Sequence, residues 1–281
     1  MSHALTTGAR PPTVSMTSST VSTASGESVV FRSTFANFVA TASEGAAKCD
    51  GVFAHEGAIR ALAIAPNGKW LASGGYDSTV KVWSLPDGAL AKTFRGHRDW
   101  VRALAISPDG TLLASGSSDR EVRLWAVREG TLVKNWVAHE KWVASLAFAA
   151  DGKSLVSGGL DAKVKVWSVP DGEPLSTFAT EIGGQVVAMA VSPSRRFLVS
   201  GSEVHQLGRW SLSDGSLLGK VEAEAGRVQA VAVTPDERWI ISAGVDGKLR
   251  VWGEQVLSQT LQAHEGHAGA LAVSPSGAVL A

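Results

Sequence analysis

Five tryptophans, Trp83, Trp125, Trp167, Trp210 and Trp252, stand at intervals of 42, 42, 43 and 42 residues, and each closes a copy of one pattern. The pattern is cleanest from Gly96 to Trp125, GHRDWVRALAISPDGTLLASGSSDREVRLW. One period earlier it reads AHEGAIRALAIAPNGKWLASGGYDSTVKVW, and one period later AHEKWVASLAFAADGKSLVSGGLDAKVKVW. A fixed period of this length marks a repeat architecture, in which one unit cannot bury its apolar surface alone and must stack on its neighbours.

Each unit carries four short apolar runs; in the second copy they are VRALAIS, TLLASGS, EVRLWAV and TLVKNW. Ser-Pro-Asp-Gly at 107–110, Ser-Ser-Asp-Arg at 117–120 and Arg-Glu-Gly at 128–130 separate them. Runs this short between such turns predict antiparallel strands joined by hairpins. A helix would need an unbroken run of about 10 residues, and none occurs. Val101 to Ile106 is apolar or small except at Arg102, as expected of a strand buried on both faces. Four strands per unit, repeated, describe an all-β propeller whose sheets pack as blades.

On these residues the unit resembles the WD-repeat family: a histidine after Gly or Ala, a Ser-Pro-Asp-Gly turn, a Ser-Gly pair, an Asp, and a Trp six residues later. The resemblance covers residues 55 to 281, roughly four fifths of the chain. The namesake Trp-Asp pair is absent, and at the histidine position of the copies only Gly96-His97 is a true Gly-His, since Ala54, Ala138 and Ala263 precede the histidine in the other copies that have one. Copies start near residues 55, 97, 139, 182, 224 and 264, and the fourth is degenerate, with Ile182 at the histidine position and Val204 at the Asp. The fifth has Glu224 for the histidine but keeps Asp246.

The sixth copy breaks off at SPSGAVLA, where the first four copies continue with Ser-Gly. Near the N-terminus, Ala24-Ser25-Gly26 matches Ala114-Ser115-Gly116, and Phe35 then falls where Trp125 does. Residues 24–54 are therefore expected to supply closing strands for a last blade begun by the C-terminus, which pairs both free sheet edges. That makes about six blades within residues 24–281, five complete and one composite or incomplete; the alternative is a truncated seven-bladed propeller. Residues 1–23, rich in Ser and Thr, read as a disordered tail.

A formal net charge of zero argues against a nucleic-acid binder driven by bulk charge. One cysteine, Cys49, allows no disulfide framework or cysteine metal site. No run approaches the roughly 18 apolar residues of a membrane span, and the N-terminus has no apolar signal core. Cytoplasm or nucleus is the expected compartment, with no cofactor, metal or small-molecule substrate.

Serine, histidine and aspartate recur together as His55, Ser73, Asp77; His97, Ser115, Asp119; and His139, Ser157, Asp161. Three near-identical copies with the serine inside a strand, and no nucleophile elbow, argue against a hydrolytic triad. The family resemblance implies a structural chain instead, from Trp through Ser and His to Asp. It takes in Trp83, Trp125 and Trp167 in the regular copies, and Ser242, Asp246 and Trp252 in the fifth.

The resemblance also implies that three positions per copy form a ligand-binding top face: three and five residues after the histidine, and one before the Asp. Carried over, these collect Arg60, Tyr76, Trp100, Arg102, Trp142, Leu160, Gln185, Glu203, Arg227, Gln229 and His267, with small residues between. Trp, Tyr and Arg dominate interface hot spots. Arginines beside aromatics suit a carboxylate or phosphate flanked by apolar groups. The expected function is a non-enzymatic scaffold that binds peptide segments of other proteins, as a subunit of a multiprotein complex. Alternatives are a subunit of an RNA-processing, chromatin or ubiquitin-ligase complex with nucleic-acid contacts, and a propeller enzyme.

Overall fold

A computed structural model describes residues 20–22, 28–34, 37–42, 55–85, 87–180, 184–194, 196–223, 226–253, 256–266, 268, 271 and 273. Near the N-terminus, β1 (Thr20–Ser22), β2 (Ser28–Thr34) and β3 (Asn37–Ala42) pair with one another as an antiparallel sheet. Five four-stranded meanders follow. The first blade is β4 (Ile59–Ile64), β5 (Trp70–Gly75), β6 (Val80–Ser84) and β7 (Leu90–Phe94). The second is β8 (Val101–Ile106), β9 (Leu112–Ser117), β10 (Glu121–Ala126) and β11 (Thr131–Val137). The third is β12 (Val143–Phe148), β13 (Ser154–Gly159), β14 (Lys163–Ser168) and β15 (Pro174–Ala179). The fourth is β16 (Val186–Val191), β17 (Phe197–Ser202), β18 (Gln206–Ser211) and β19 (Leu217–Glu222). The fifth is β20 (Val228–Val233), β21 (Trp239–Gly244), β22 (Lys248–Gly253) and β23 (Val256–Gln262).

The described residues contain no helix. The degenerate fourth copy still forms a full blade, because its alternation of apolar residues survives the loss of its loop residues. Thr20–Ser22 is a strand, so pairing begins inside the segment expected to be a tail. The composite blade expected from residues 24–54 and the C-terminus lies largely outside the described residues.

The core lies between blades. Ala114, Val122 and Leu124 of the second blade pack with Val143, Leu146 and Leu155 of the third, and equivalent clusters join each pair of neighbours. Consecutive first strands, β4, β8, β12, β16 and β20, contact one another in series. Glycine makes this approach possible. A Cβ on Gly74, Gly116, Gly158 or Gly201 would sit about 2.5–2.7 Å from Cγ1 of Val101, Val143, Val186 or Val228 on the next blade. In the fifth blade the position is Ala243, which shares a buried cluster with Ala268, so a larger residue on one side meets a smaller one on the other. Leu62 of the first blade is 48% exposed, where its equivalents Leu104 and Leu146 are 9% and 8%.

Candidate functional site

The polar residues of each regular repeat converge at the ends of the first three strands. In the second blade Trp125 Nε1 donates to Ser115 Oγ at 2.8 Å. The serine hydroxyl faces His97 Nε2 at 2.8 Å, and His97 Nδ1 faces Asp119 at 2.8 Å. Because the serine oxygen already accepts from the indole, its own hydrogen goes to Nε2. Nδ1–H is left to donate to the carboxylate. The first blade repeats this with Trp83, Ser73, His55 and Asp77, and the third with Trp167, Ser157, His139 and Asp161. Each aspartate also accepts from a backbone N–H at the head of its repeat, of Glu56, Arg98 or Glu140, which ties two loops to one strand.

Electrostatics follow from this wiring. Burial pushes the Asp119 carboxyl up, but the His97 bond and two backbone N–H groups outweigh it and hold the group at about 2. Asp77 and Asp161 are lowered by the same contest. Burial pushes His55 below its ordinary 6.5, against the opposing pull of Asp77.

The Ser–His–Asp distances mimic a hydrolytic triad, but the surroundings do not. Ser73, Ser115 and Ser157 are at most 1% exposed, and each oxygen is occupied by an indole N–H. In the fifth blade Trp252 still donates to Ser242, while Asp246 pairs with Arg250 at 2.8 Å. In the fourth, Trp210 donates to Ser200, and Ser202 Oγ accepts from the backbone of Val204 and Gln206 where an Asp would have stood.

A backbone irregularity builds the exposed face. The first two strands of every blade slip register by one residue, and the extra residue is Arg60, Arg102, Ala144, Val187 or Gln229. Such a bulge turns its side chain out of the sheet's alternation. Tyr76 and Trp100, from neighbouring blades, stack with centroids 3.9 Å apart and planes 9° from parallel. Arg102 lies 3.9 Å from the Trp142 ring centroid and 5.4 Å from that of Trp100, and its Nε donates to Ser118 Oγ at 2.5 Å. Arg60 sits 5.9 Å over Tyr76.

Side chains of three blades thus form one ladder of rings and guanidinium groups. Burial first, then the like charge of Arg60 and, less, that of Arg227, push the Arg102 guanidinium below its ordinary value; Tyr76 and Asp99 pull the other way. None of the three arginines makes an ion pair among the described residues.

Beside the ladder, Ser118, Arg120, Glu140, Lys141, Trp142, Leu160 and Gln185 line a cleft of about 510 Å³. Leu160 is buried in its wall rather than displayed. Glu203 and Gln229 are half-buried and join neither the ladder nor the cleft lining. His267 lies outside the described residues. Arg120 and Lys141 were missed by the sequence reading, which fixed on three positions per repeat; both sit one residue from an expected site or network residue. Among the described residues no group of His, Cys, Asp and Glu could hold a metal ion.

Comparison with known proteins gives the same repeat. The family model described as WD domain, G-beta repeat matches residues 47–84, 88–126, 130–168 and 215–253, more than half of the chain. Transducin beta-like protein 3 of Bos taurus is 50% identical over 44 residues, 16% of this chain and 6% of that protein. Pre-mRNA-splicing factor prp46 of Emericella nidulans is 51% identical over 39 residues, 14% of this chain and 9% of that protein. Ribosome biogenesis protein erb1 of Aspergillus fumigatus is 56% identical over 41 residues, 14% of this chain and 5% of that protein. The similarity therefore spans less than a tenth of each relative's length. Period, blade architecture and the matched repeats agree: the chain belongs to the WD-repeat family of β-propellers.

Proposed function

We propose that the protein is a non-enzymatic interaction scaffold whose top face grips an extended, acidic segment of a partner protein. The observation that carries this is the ladder from Tyr76 through Trp100 and Arg102 to Trp142, with Arg60 and Arg227 close enough to repel Arg102. Three like charges that outnumber the one nearby acid, Asp99, and make no ion pair among the described residues favour an anionic ligand, and rings already stacked lose little freedom on binding. The buried, occupied serines argue for a supporting role and against nucleophilic chemistry.

Two relatives are named for pre-mRNA splicing and ribosome biogenesis. On that footing the partner is a protein subunit of an RNA-processing assembly, and the nucleus is the compartment to examine first. The test is binding of a library of acidic and phosphorylated peptides to wild type and to the Trp100→Ala/Arg102→Ala variant, after both are shown to melt alike. Selective peptides lost with the variant support the reading. Equal binding by both proteins refutes the top-face assignment. Binding of RNA in place of peptides, with steep salt dependence, refutes the protein-partner reading.

A further inference from the structure

Ser118 joins the ladder to the cleft beside it. Its hydroxyl oxygen accepts from Arg102 Nε at 2.5 Å, and the same residue lines the cleft. Ser118 is 6% exposed, and its own hydrogen has no acceptor among the described residues. A buried hydroxyl whose proton goes unused loses the stability of a hydrogen bond, so the position calls for an acceptor. A charged donor on the oxygen also strengthens that proton as a donor, because bonds in a chain polarise one another. The second blade alone has an arginine on its bulge and a serine before its aspartate. The corresponding pairs are Arg60 with Tyr76, Ala144 with Leu160, Val187 with Glu203 and Gln229 with Val245.

The charges around the cleft favour an anionic acceptor. Arg120 and Lys141 line it, are exposed, and make no ion pair among the described residues. Glu140, the one acid that lines it, is held by Lys163 at 2.7 Å, and that bond lowers its carboxyl from the ordinary value. With this pair neutral, two positive charges remain. Trp142 belongs to both sites, since its ring centroid lies 3.9 Å from the Arg102 guanidinium and the residue lines the cleft. The volume of about 510 Å³ is within the range of pockets that take up ligands, about 300–1,000 Å³.

We propose that this cleft is where the acidic side chain of the bound segment docks, its carboxylate accepting the Ser118 proton between Arg120 and Lys141. Arg102 then acts through Ser118 as a positioning residue. The inference rests on the top-face reading and narrows it: the rings of the ladder hold the flanking apolar groups of the segment, and the cleft selects its acid.

The test follows the Trp142 indole N–H of the full chain by NMR at fixed salt. Two short peptides are titrated, identical except that one carries a single glutamate and the other glutamine at that place. Wild type is compared with Ser118→Ala and with Arg120→Ala/Lys141→Ala, after melts of all three. Alanine already stands at the Arg120 position in the third blade, as Ala162, so the double variant keeps the test decisive if Ser118→Ala proves unstable. The expected result is a saturable shift at lower concentration for the glutamate peptide. Ser118→Ala should lose about tenfold in affinity for glutamate and leave glutamine unchanged. The double variant should lose the preference for glutamate. A resonance unmoved by either peptide, equal binding of both by wild type, equal losses of both in Ser118→Ala, or a preference that survives the double variant each overturns the proposal. Glutamate peptides lost with Trp100→Ala/Arg102→Ala but kept by both cleft variants overturn the cleft and leave the top-face reading standing. Peptides kept by Trp100→Ala/Arg102→Ala refute that reading itself.

Discussion

Replacing Asp119 by alanine probes how much one polar chain contributes to the fold. The carboxylate is 6% exposed and accepts from His97 Nδ1 at 2.8 Å, Arg98 N at 2.9 Å and Glu121 N at 3.0 Å. Holding it at about 2 against an ordinary 3.8 corresponds to about 2.4 kcal/mol, trimmed to about 1–2 kcal/mol because water reaches the loop and screens the charge. The substitution also orphans the buried His97 N–H, which costs about 1–3 kcal/mol. The expected loss is about 2–4 kcal/mol at pH 7. For a chain of this size that lowers the melting midpoint by about 4–16 °C.

The pH dependence carries a sign. A carboxyl lowered on folding adds stability that is present above its ordinary value and lost as pH falls through about 2. The gap between wild type and Asp119→Ala should therefore narrow between about pH 4 and pH 2. Chemical denaturation across that range measures it. A variant as stable as wild type at pH 7, or a gap that does not narrow on acidification, refutes the account of the network.

Two further predictions concern glycine. Gly116→Ala drives a Cβ to 2.6 Å from Val143 Cγ1 and should cost about 1–3 kcal/mol. Adding Val143→Ala should recover part of that, as Ala243 beside Ala268 does in the fifth blade; strictly additive denaturation energies would contradict the packing argument. Gly247 has φ +72°, and a Cβ there would collide with the carbonyl oxygens of His264 and Gly266. Gly247→Ala should lose more than about 2 kcal/mol in the same assay, although alanine is tolerated at the equivalent Ala162 with φ 59°.

Strands and hairpins were legible because the repeat sets both their number and their turns: the runs read around 101–107, 111–117, 121–127 and 131–136 lie within a residue of the observed strands. The bulges at Arg60 and Arg102 were not, because an extra residue in a ladder leaves no mark on apolar alternation this short. Without the bulge, spacing alone says which residues share a loop but not that Tyr76 and Trp100 stack across two blades. Arg209 was visible in the letters as an arginine before Trp210, but that the bare Gly219 lies opposite it is a relation that only strand register supplies.

The division of labour between polar and apolar contacts has a consequence for how such a chain changes over generations. Each chain of hydrogen bonds from Trp to Asp begins and ends inside one repeat, while neighbouring blades meet chiefly through glycine, valine and other apolar surfaces. Damage to one chain is therefore quarantined: the fourth repeat has no histidine or aspartate in its loops' usual places, yet every bond of the third repeat's chain is intact. A propeller wired this way can put one blade to new use without first redesigning the blades on either side.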